Sequence, residues 1–191
     1  EGSVMKCFDR KKKKNHAQGG FTLIELLAAV VVMLLITAAL SAGIPATLNA
    51  YREMTAVSES AVLLSTLSQS LTDELRYARD IKLQSSDGLT LATYTSAIYG
   101  VGVKPTAHEG KIEMVSTSVP PGGGDPVSTY YPLVNDAVYT GGLSASLSDI
   151  TYDGEVFAFE ITVYQPAGTT GFAEEDQVLS TLVLSVRTVN E

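Results

Sequence analysis

The amino-acid sequence predicts an α+β protein, in which a long N-terminal helix, half transmembrane and half amphipathic, packs on a small antiparallel sheet. Three observations lead to this prediction. A charge-free apolar run extends from Leu26 to Tyr51. Apolar residues then recur at helical spacing as far as Ile81, and β-rich runs separated by turn residues follow. A chain of 191 residues has room for one membrane segment and one modest folded domain.

Charge divides the chain into a basic start and an acidic remainder. The net charge is -8, from 13 Lys and Arg and 21 Asp and Glu. Residues 1–20 hold six basic and two acidic residues, whereas the sequence from Phe21 onward holds seven basic and 19 acidic ones. Basic residues beside an apolar span keep that end in the cytoplasm, so the acidic part is expected outside the membrane. A direct nucleic-acid partner for the basic run is therefore not expected.

The apolar run is long enough to cross a membrane. Its 26 residues would span ~39 Å as a helix at ~1.5 Å per residue, more than the ~30 Å hydrocarbon core. Gly43 and Pro45 fall near its outer end. Since proline removes one helix hydrogen bond, we expect a kink or local melting there.

The pattern after this run predicts that the helix continues in amphipathic form. The predicted apolar stripe consists of Val57, Ala61, Leu64, Leu67, Leu71, Leu75, Ala78 and Ile81. Such a stripe needs a partner, which we expect to be a sheet of the same chain. Ser85-Ser86-Asp87-Gly88 is expected to end the helix through its turn chemistry. The amphipathic half is accordingly assigned to residues 51–83.

Residues 84–191 are expected to form an exported β-rich domain. Strand candidates are Lys111 to Thr117, two arms around an Asp153-Gly154 hairpin turn, and Gln177 to Val189. Alternation predicts inward positions for Phe157, Phe159, Ile161 and Val163 in one strand, and a shared face for Val178, Leu182, Leu184 and Val186 in the other. Residues 120–126 and 166–176 are expected to be exposed loops.

The junction between the basic start and the apolar run is the most informative motif. Arg10 and four lysines precede Gly19-Gly20, and Phe21-Thr22-Leu23-Ile24-Glu25 follows. An ionisable group in an apolar membrane segment is costly, which makes Glu25 a functional candidate. The alternative for Glu25 is a carboxylate exposed to water at the lipid interface.

This junction closely resembles the processing site of type IV prepilins and the related pseudopilins, over about residues 6–55. The resemblance implies a cytoplasmic leader at residues 1–20, cleavage of the Gly20–Phe21 bond by prepilin peptidase, and N-methylation of Phe21. It implies that residues 21–50 form the transmembrane and assembly helix. A diglycine fits this processing, because it offers a protease extended backbone without side chains.

Glu25 and Phe21 are expected to act together. Glu25 lies four residues after Phe21, so in a helix it shares a face with the α-amino group that cleavage creates. The carboxylate and the ammonium would neutralise each other within one subunit or between neighbours. Pairing between subunits would set the axial register of a fibre, a role in which buried ion pairs are better attested than in adding net stability.

The predicted function is that of a structural subunit, a major or minor pilin or pseudopilin, in a filament of the type IV pilus kind. Its implied partners are prepilin peptidase, other pilin or pseudopilin subunits, an inner-membrane assembly platform with its ATPase, and the lipid bilayer. No enzymatic activity, cofactor or metal is expected. The sequence leaves open a pilus, a type II secretion system or a competence system. The alternative is a membrane-anchored binding or adhesin module, with the helix as an anchor only.

Other motifs give weaker indications. Ala39-Leu40-Ser41 and Ser41-Ala42-Gly43 would suit an ordinary secretory signal, but the short apolar region of such a signal does not explain Glu25. Gly122-Gly123-Gly124 lacks the Lys-Ser/Thr of a phosphate loop. His108-Glu109 has no nucleophile motif beside it. Asp149, Asp153 and Glu155 offer a calcium alternative, without the spacing of an EF-hand loop.

The only cysteine, Cys7, lies in the leader, so the processed chain has no internal disulfide. Many pilins of diderm bacteria have one near the C-terminus, and this chain departs from that pattern. Met5 is the first plausible start, and residues 1–4 are expected to be an upstream extension or a cloning remnant.

Overall fold

The computed structural model describes residues 21–168 and 175–189. The chain divides into two units, Glu1–Leu48 and Asn49–Glu191. The elements are α1 Leu23–Arg76, β1 Arg79–Leu83, β2 Leu91–Ser96, β3 Gly100–His108, β4 Lys111–Ser118, β5 Val127–Pro132, a 3₁₀ turn Asp136–Val138, β6 Ser144–Leu147, β7 Thr151–Tyr152, β8 Val156–Gln165 and β9 Gln177–Arg187.

The strands form two antiparallel sheets. The first is a five-stranded meander in the order β1-β2-β3-β4-β5. In the second, β9 pairs with β8 along its whole length, while β6 and β7 pair with successive stretches of β8. Backbone hydrogen bonds between described residues join the sheets, from Leu91 N–H to the Ile150 carbonyl, from Tyr152 N–H to the Leu89 carbonyl and from Ala145 N–H to the Gly110 carbonyl, at 2.7 to 2.8 Å. The predicted α+β class is confirmed, with two sheets in place of one.

The second unit is built around one face of α1. Leu63, Leu67, Leu71 and Leu75 are completely buried there. They share a core with residues of both sheets, among them Leu91, Tyr94, Val103, Ile112, Met114, Phe157, Phe159, Ile161 and Val163. The predicted inward set of β8 is therefore confirmed. Because four leucines at four-residue spacing stay on one helix face, a single stripe supplies the layer on which the sheet residues pack.

The predicted stripe is wrong at its N-terminal end. Val57 and Ala61 are exposed, and Ser60 and Leu63 are buried in their place. At about 100° per residue the face centred on Leu67 and Leu71 passes through residues 60 and 63, and leaves Ala61 to one side. Ser60 is buried without penalty, because its hydroxyl donates to the Val57 carbonyl at 2.8 Å.

The helix also ends earlier than predicted. It stops at Arg76, and Arg79–Leu83 forms an edge strand paired with β2. The Arg76 carbonyl accepts a hydrogen bond from Val189 N–H at 2.9 Å, so a distant segment satisfies this helix end. Residues 85–88 do form a turn, but it connects β1 to β2. The Asp87 carboxylate accepts hydrogen bonds from the Thr90 hydroxyl and from Leu89 and Thr90 N–H, which lower its pKa to about 2.

The last strand contains a register shift that the sequence pattern does not reveal. Val163 pairs with Ser180 but Tyr164 pairs with Val178, so Leu179 is an extra residue. Leu182, Leu184 and Val186 lie on the shared face as predicted. Val178 is 62% exposed, while Leu179 is partly buried against the core.

Replacing Leu71 by Ala should lower the free energy of unfolding by about 2 to 5 kcal/mol, because it leaves a cavity where helix and sheets meet. Urea denaturation followed by circular dichroism measures this change. The matched control is Val62→Ala, a similar truncation at a position 62% exposed on the same helix. Its effect should stay within about 0.5 kcal/mol. Equal losses in the two variants would contradict a core built on this stripe.

Candidate processing and assembly segment

The start of α1 is closed by a reciprocal cap between Thr22 and Glu25. Glu25 N–H donates to the Thr22 hydroxyl oxygen at 3.3 Å. In return, one carboxylate oxygen of Glu25 accepts from Thr22 N–H at 3.0 Å and from the Thr22 hydroxyl at 3.1 Å. This is the capping-box arrangement, in which a Thr at the N-cap and a Glu three residues later satisfy backbone donors that the helix leaves free.

The cap changes how Glu25 relates to Phe21. The helix begins at Leu23, so Phe21 lies before the N-cap rather than on a helical face shared with Glu25. The carboxylate nevertheless reaches the Thr22 backbone nitrogen, which is one residue away from the Phe21 nitrogen along the chain. The cap, rather than a shared helix face, therefore holds the Glu25 carboxylate near the Phe21 end of the helix. The capping-box pattern Thr-x-x-Glu, followed by an apolar run, was present in the sequence.

Phe21 itself is open to its surroundings, with 86% of its surface exposed. Glu25 is also exposed. Gly19 and Gly20, the other half of the predicted cleavage site, lie outside the described residues. Cleavage between Gly20 and Phe21 and methylation of Phe21 remain predictions.

The apolar half of α1 is a candidate membrane span. In the described residues this is the one helix long and apolar enough to cross a bilayer, and the apolar window has no buried residue in the folded chain. Its threonines suit that environment, because Thr37 donates to the Met33 carbonyl at 2.8 Å and Thr47 to the Gly43 carbonyl at 3.0 Å. These hydroxyls need no water partner, as a hydrocarbon surrounding requires.

The helix is not interrupted at Pro45, where a kink or local melting was expected. Residues Leu23–Arg76 are helical throughout, with Pro45 inside. Proline still supplies no N–H to the carbonyl four residues before it, so one hydrogen bond of the ladder is missing at this place.

The His108-Glu109 pair serves structure. Glu109 and Gly110 form the two-residue turn between β3 and β4, both with positive φ, as a tight hairpin requires. His108 stacks on Tyr130, with ring centroids 3.9 Å apart, and its Nδ1 lies 3.0 Å from a carboxylate oxygen of Glu113. The His108 ring thus links strands β3, β4 and β5, and the pair presents no nucleophile and base in mutual contact.

The acidic residues suggested for calcium do not form a joint site. Asp153 accepts hydrogen bonds from Glu155 N–H and Val156 N–H within the β7–β8 turn, at 3.0 and 2.8 Å. The Glu155 carboxylate forms an ion pair with Arg187. Among the residues that the structure describes, no group of three or more His, Cys, Asp or Glu side chains is placed to hold a metal ion.

Comparison with known proteins bears on the N-terminal segment. A family model described as the prokaryotic N-terminal methylation motif matches residues 15–41. The match includes Gly19, Gly20, Phe21, Thr22 and Glu25, and leaves the unit from Asn49 onward outside it. No curated protein and no solved structure matches the chain.

The capped helix start, the apolar helix behind it and the motif match refer to the same stretch of chain. Gly19, Gly20, Phe21 and Glu25 all lie within the matched range, and Glu25 lies in a helix long enough to span a membrane. Residues 15–41 carry the signal motif of type IV pilins and pseudopilins, which supports a pilin-like or pseudopilin-like precursor.

Proposed function

We propose that this chain is a structural subunit of a filament of the type IV pilus kind, with no catalytic role. The observation that carries the proposal is the methylation motif at residues 15–41, at the start of a helix whose described residues before position 55 are all exposed and mostly apolar. Apolar side chains exposed all round a helix need lipid or other helices as partners. The same surface serves the precursor in a bilayer and the processed subunit beside its neighbours.

In this proposal, prepilin peptidase cuts between Gly20 and Phe21 and methylates the new N-terminus. N-methylation leaves the ammonium positive, so a charge is created next to the Thr22–Glu25 cap. The further partners are other pilin or pseudopilin subunits and an assembly platform with a cytoplasmic ATPase. The remainder of the chain, from Asn49 onward, is the exported domain that the filament displays.

The cap holds the Glu25 carboxylate close to the place where this new charge would form. Thr22 engages one carboxylate oxygen, Oε2, through two hydrogen bonds and holds the group at the helix start. A positioned carboxylate loses less side-chain entropy when it pairs with an ammonium than a free one does. We infer that the pair forms between neighbouring subunits in the filament, where lipid and water are both displaced.

The processing step is tested by intact-mass and N-terminal peptide mass spectrometry of the protein purified from the cells that produce it. The expected N-terminus is Phe21, with an added methyl group. Gly20→Leu should keep the protein at the leader-bearing mass, because a bulky residue at the scissile bond blocks a cleft that accepts glycine. A start at Thr22 or between Ala42 and Ile44, or normal maturation of Gly20→Leu, would contradict the proposal.

The role of Glu25 is tested by three variants that separate its charge from its capping function. Glu25→Gln keeps the capping box, since Gln serves at this position, but removes the charge. Thr22→Ala keeps the charge and breaks the cap, at a cost of about 1 kcal/mol. Glu25→Ala removes both. We expect both Glu25 variants to be inserted and cut but to enter filaments poorly, because an uncompensated buried charge costs ~3 to 5 kcal/mol per contact.

Thr22→Ala is expected to assemble better than either Glu25 variant. Recovery of filaments after mechanical shearing, together with the N-terminal mass of each variant, gives the comparison. Wild-type assembly of Glu25→Gln would show that charge pairing is unnecessary. Glu25 would then act as a capping residue only. If the wild-type chain itself enters no filament, the helix serves as an anchor, as a membrane-anchored binding module requires.

A further inference from the structure

A cavity of about 410 Å³ lies beside the C-terminal part of α1, entirely within the second unit. The helix contributes Ser70, Asp73, Glu74 and Tyr77, whose spacing places them on one face. The opposite wall is the β2–β3 turn, residues 97–99, with Leu133 beyond β5. The volume is in the range of small-molecule sites, which begins near ~300 Å³.

Glu74 is the unusual member of this lining. It is 8% exposed, and Tyr94 donates its hydroxyl to a carboxylate oxygen of Glu74 at 3.0 Å. Burial raises the pKa of Tyr94 well above its usual range, and the adjacent Glu74 charge adds to this effect. The phenol therefore stays a neutral donor. A neutral hydrogen bond does not compensate a buried carboxylate charge.

No basic side chain among the described residues pairs with Glu74 to supply that compensation. Within 4.0 Å, the described residues form ion pairs at His108–Glu113, Lys111–Asp136 and Arg187–Glu155, and Glu74 takes part in none of them. Asp73, exposed beside the same cavity, accepts from the Gln69 side-chain amide at 3.0 Å, again a neutral donor. Two carboxylates thus border one cavity without a basic partner among the residues described.

The remaining walls are aromatic and aliphatic. Tyr77 is 58% exposed and Ile98 is 78% exposed, large values for side chains of this kind in a folded unit. Tyr99 packs near Tyr131, with ring centroids 6.1 Å apart. Burial raises the pKa of Tyr99, with a second contribution from the charge of Glu74. Aromatic faces next to carboxylates attract organic cations, through the ring quadrupole as well as through charge.

The turn that forms the far wall is held in place. The Ser96 hydroxyl oxygen accepts hydrogen bonds from Ile98 N–H at 3.0 Å and Tyr99 N–H at 2.9 Å. The Tyr99 hydroxyl donates to the Pro132 carbonyl at 3.3 Å. A wall fixed before a ligand arrives lowers the ordering cost of binding.

We propose that this cavity binds an organic cation, an alkylammonium or alkylguanidinium group, with Glu74 as its principal counter-charge. The cationic head lies against the carboxylates of Glu74 and Asp73, and its aliphatic stem lies between Tyr77, Ile98 and Tyr99. Anions are repelled by both carboxylates. A hard metal ion finds only these two carboxylates here, whereas calcium takes six to eight oxygen ligands.

Binding of the cation is tested with the full chain in micelles of an uncharged maltoside detergent. Calorimetric titrations use butylguanidinium and butylammonium ions as probes, with butyrate and butan-1-ol as anionic and neutral controls of similar length. We expect saturable binding of the two cations alone, accompanied by shifts of tyrosine ring signals in NMR spectra. Equal binding of butan-1-ol would overturn the proposal, because it would show an apolar cavity without charge selectivity.

Three variants locate the site. Glu74→Gln should weaken cation binding about tenfold or more, since it removes a charged hydrogen-bond partner and leaves an amide that still accepts from Tyr94. Glu160→Gln makes the same change at an exposed position on β8 and should bind normally. Tyr77→Ala removes an exposed ring without emptying the core, and should weaken binding about two- to fivefold. Thermal unfolding checks that each variant is folded.

A capped tripeptide with a central arginine distinguishes the source of the cation. Tighter binding of the tripeptide than of butylguanidinium assigns the cavity to a basic side chain of a partner protein. Tighter binding of the free ion assigns it to a small molecule. Unchanged binding in both folded Glu74→Gln and Tyr77→Ala, or no saturable binding of any cation, would reject the site.

Discussion

The folded unit depends on the burial of one leucine stripe. Leu63, Leu67, Leu71 and Leu75 are completely buried and meet inner residues of both sheets. Neither sheet has a second layer of its own: the five-stranded meander is open at β1 and β5, and the second sheet is centred on β8. Each sheet needs an apolar surface to cover its inner face, and the helix stripe provides it for both. Residues 21–191 contain no cysteine, so no internal disulfide among them compensates for a loss there.

The same element meets opposite requirements along its length. Before residue 55 every described side chain of α1 is exposed, most of them apolar, whereas from Ser60 onward one face is buried. The apolar side chains of the first stretch need lipid or other helices as partners. In the capping box, the side chains of Thr22 and Glu25 accept hydrogen bonds from backbone N–H groups at the start of the helix. This matters in an apolar surrounding, where free backbone donors cost several kcal/mol each.

Much of this fold follows from the sequence, because strong patterns are local. The alternation in β8 predicted its buried side, and the Leu67-Leu71-Leu75 spacing predicted the helix face. The failures have physical reasons. Ala78 and Ile81 continue the helical spacing, so the sequence of β1 resembles a further stretch of helix. This segment is a strand because it pairs with β2, which follows the turn. The register shift at Leu179 depends on how β9 pairs with β8. The residue pattern of one strand carries no information about that pairing.

The two candidate sites also differ in how much of each can be predicted from the sequence. Thr22 and Glu25 are three residues apart and form a motif that is readable in the sequence, although its capping role was missed. The cation cavity joins residues 70–77 with residues 97–99 and Leu133, and none of these segments shows an unusual pattern by itself. In the sequence, Glu74 is one of 19 acidic residues from Phe21 onward and resembles a solvated surface charge. Only the fold reveals that Tyr94 donates a hydrogen bond to it, that no described basic residue forms an ion pair with it, and that aromatic rings line the space beside it. Acidic composition alone would attract cations weakly over the whole surface, whereas a buried carboxylate in a walled cavity selects one kind of cation at one place.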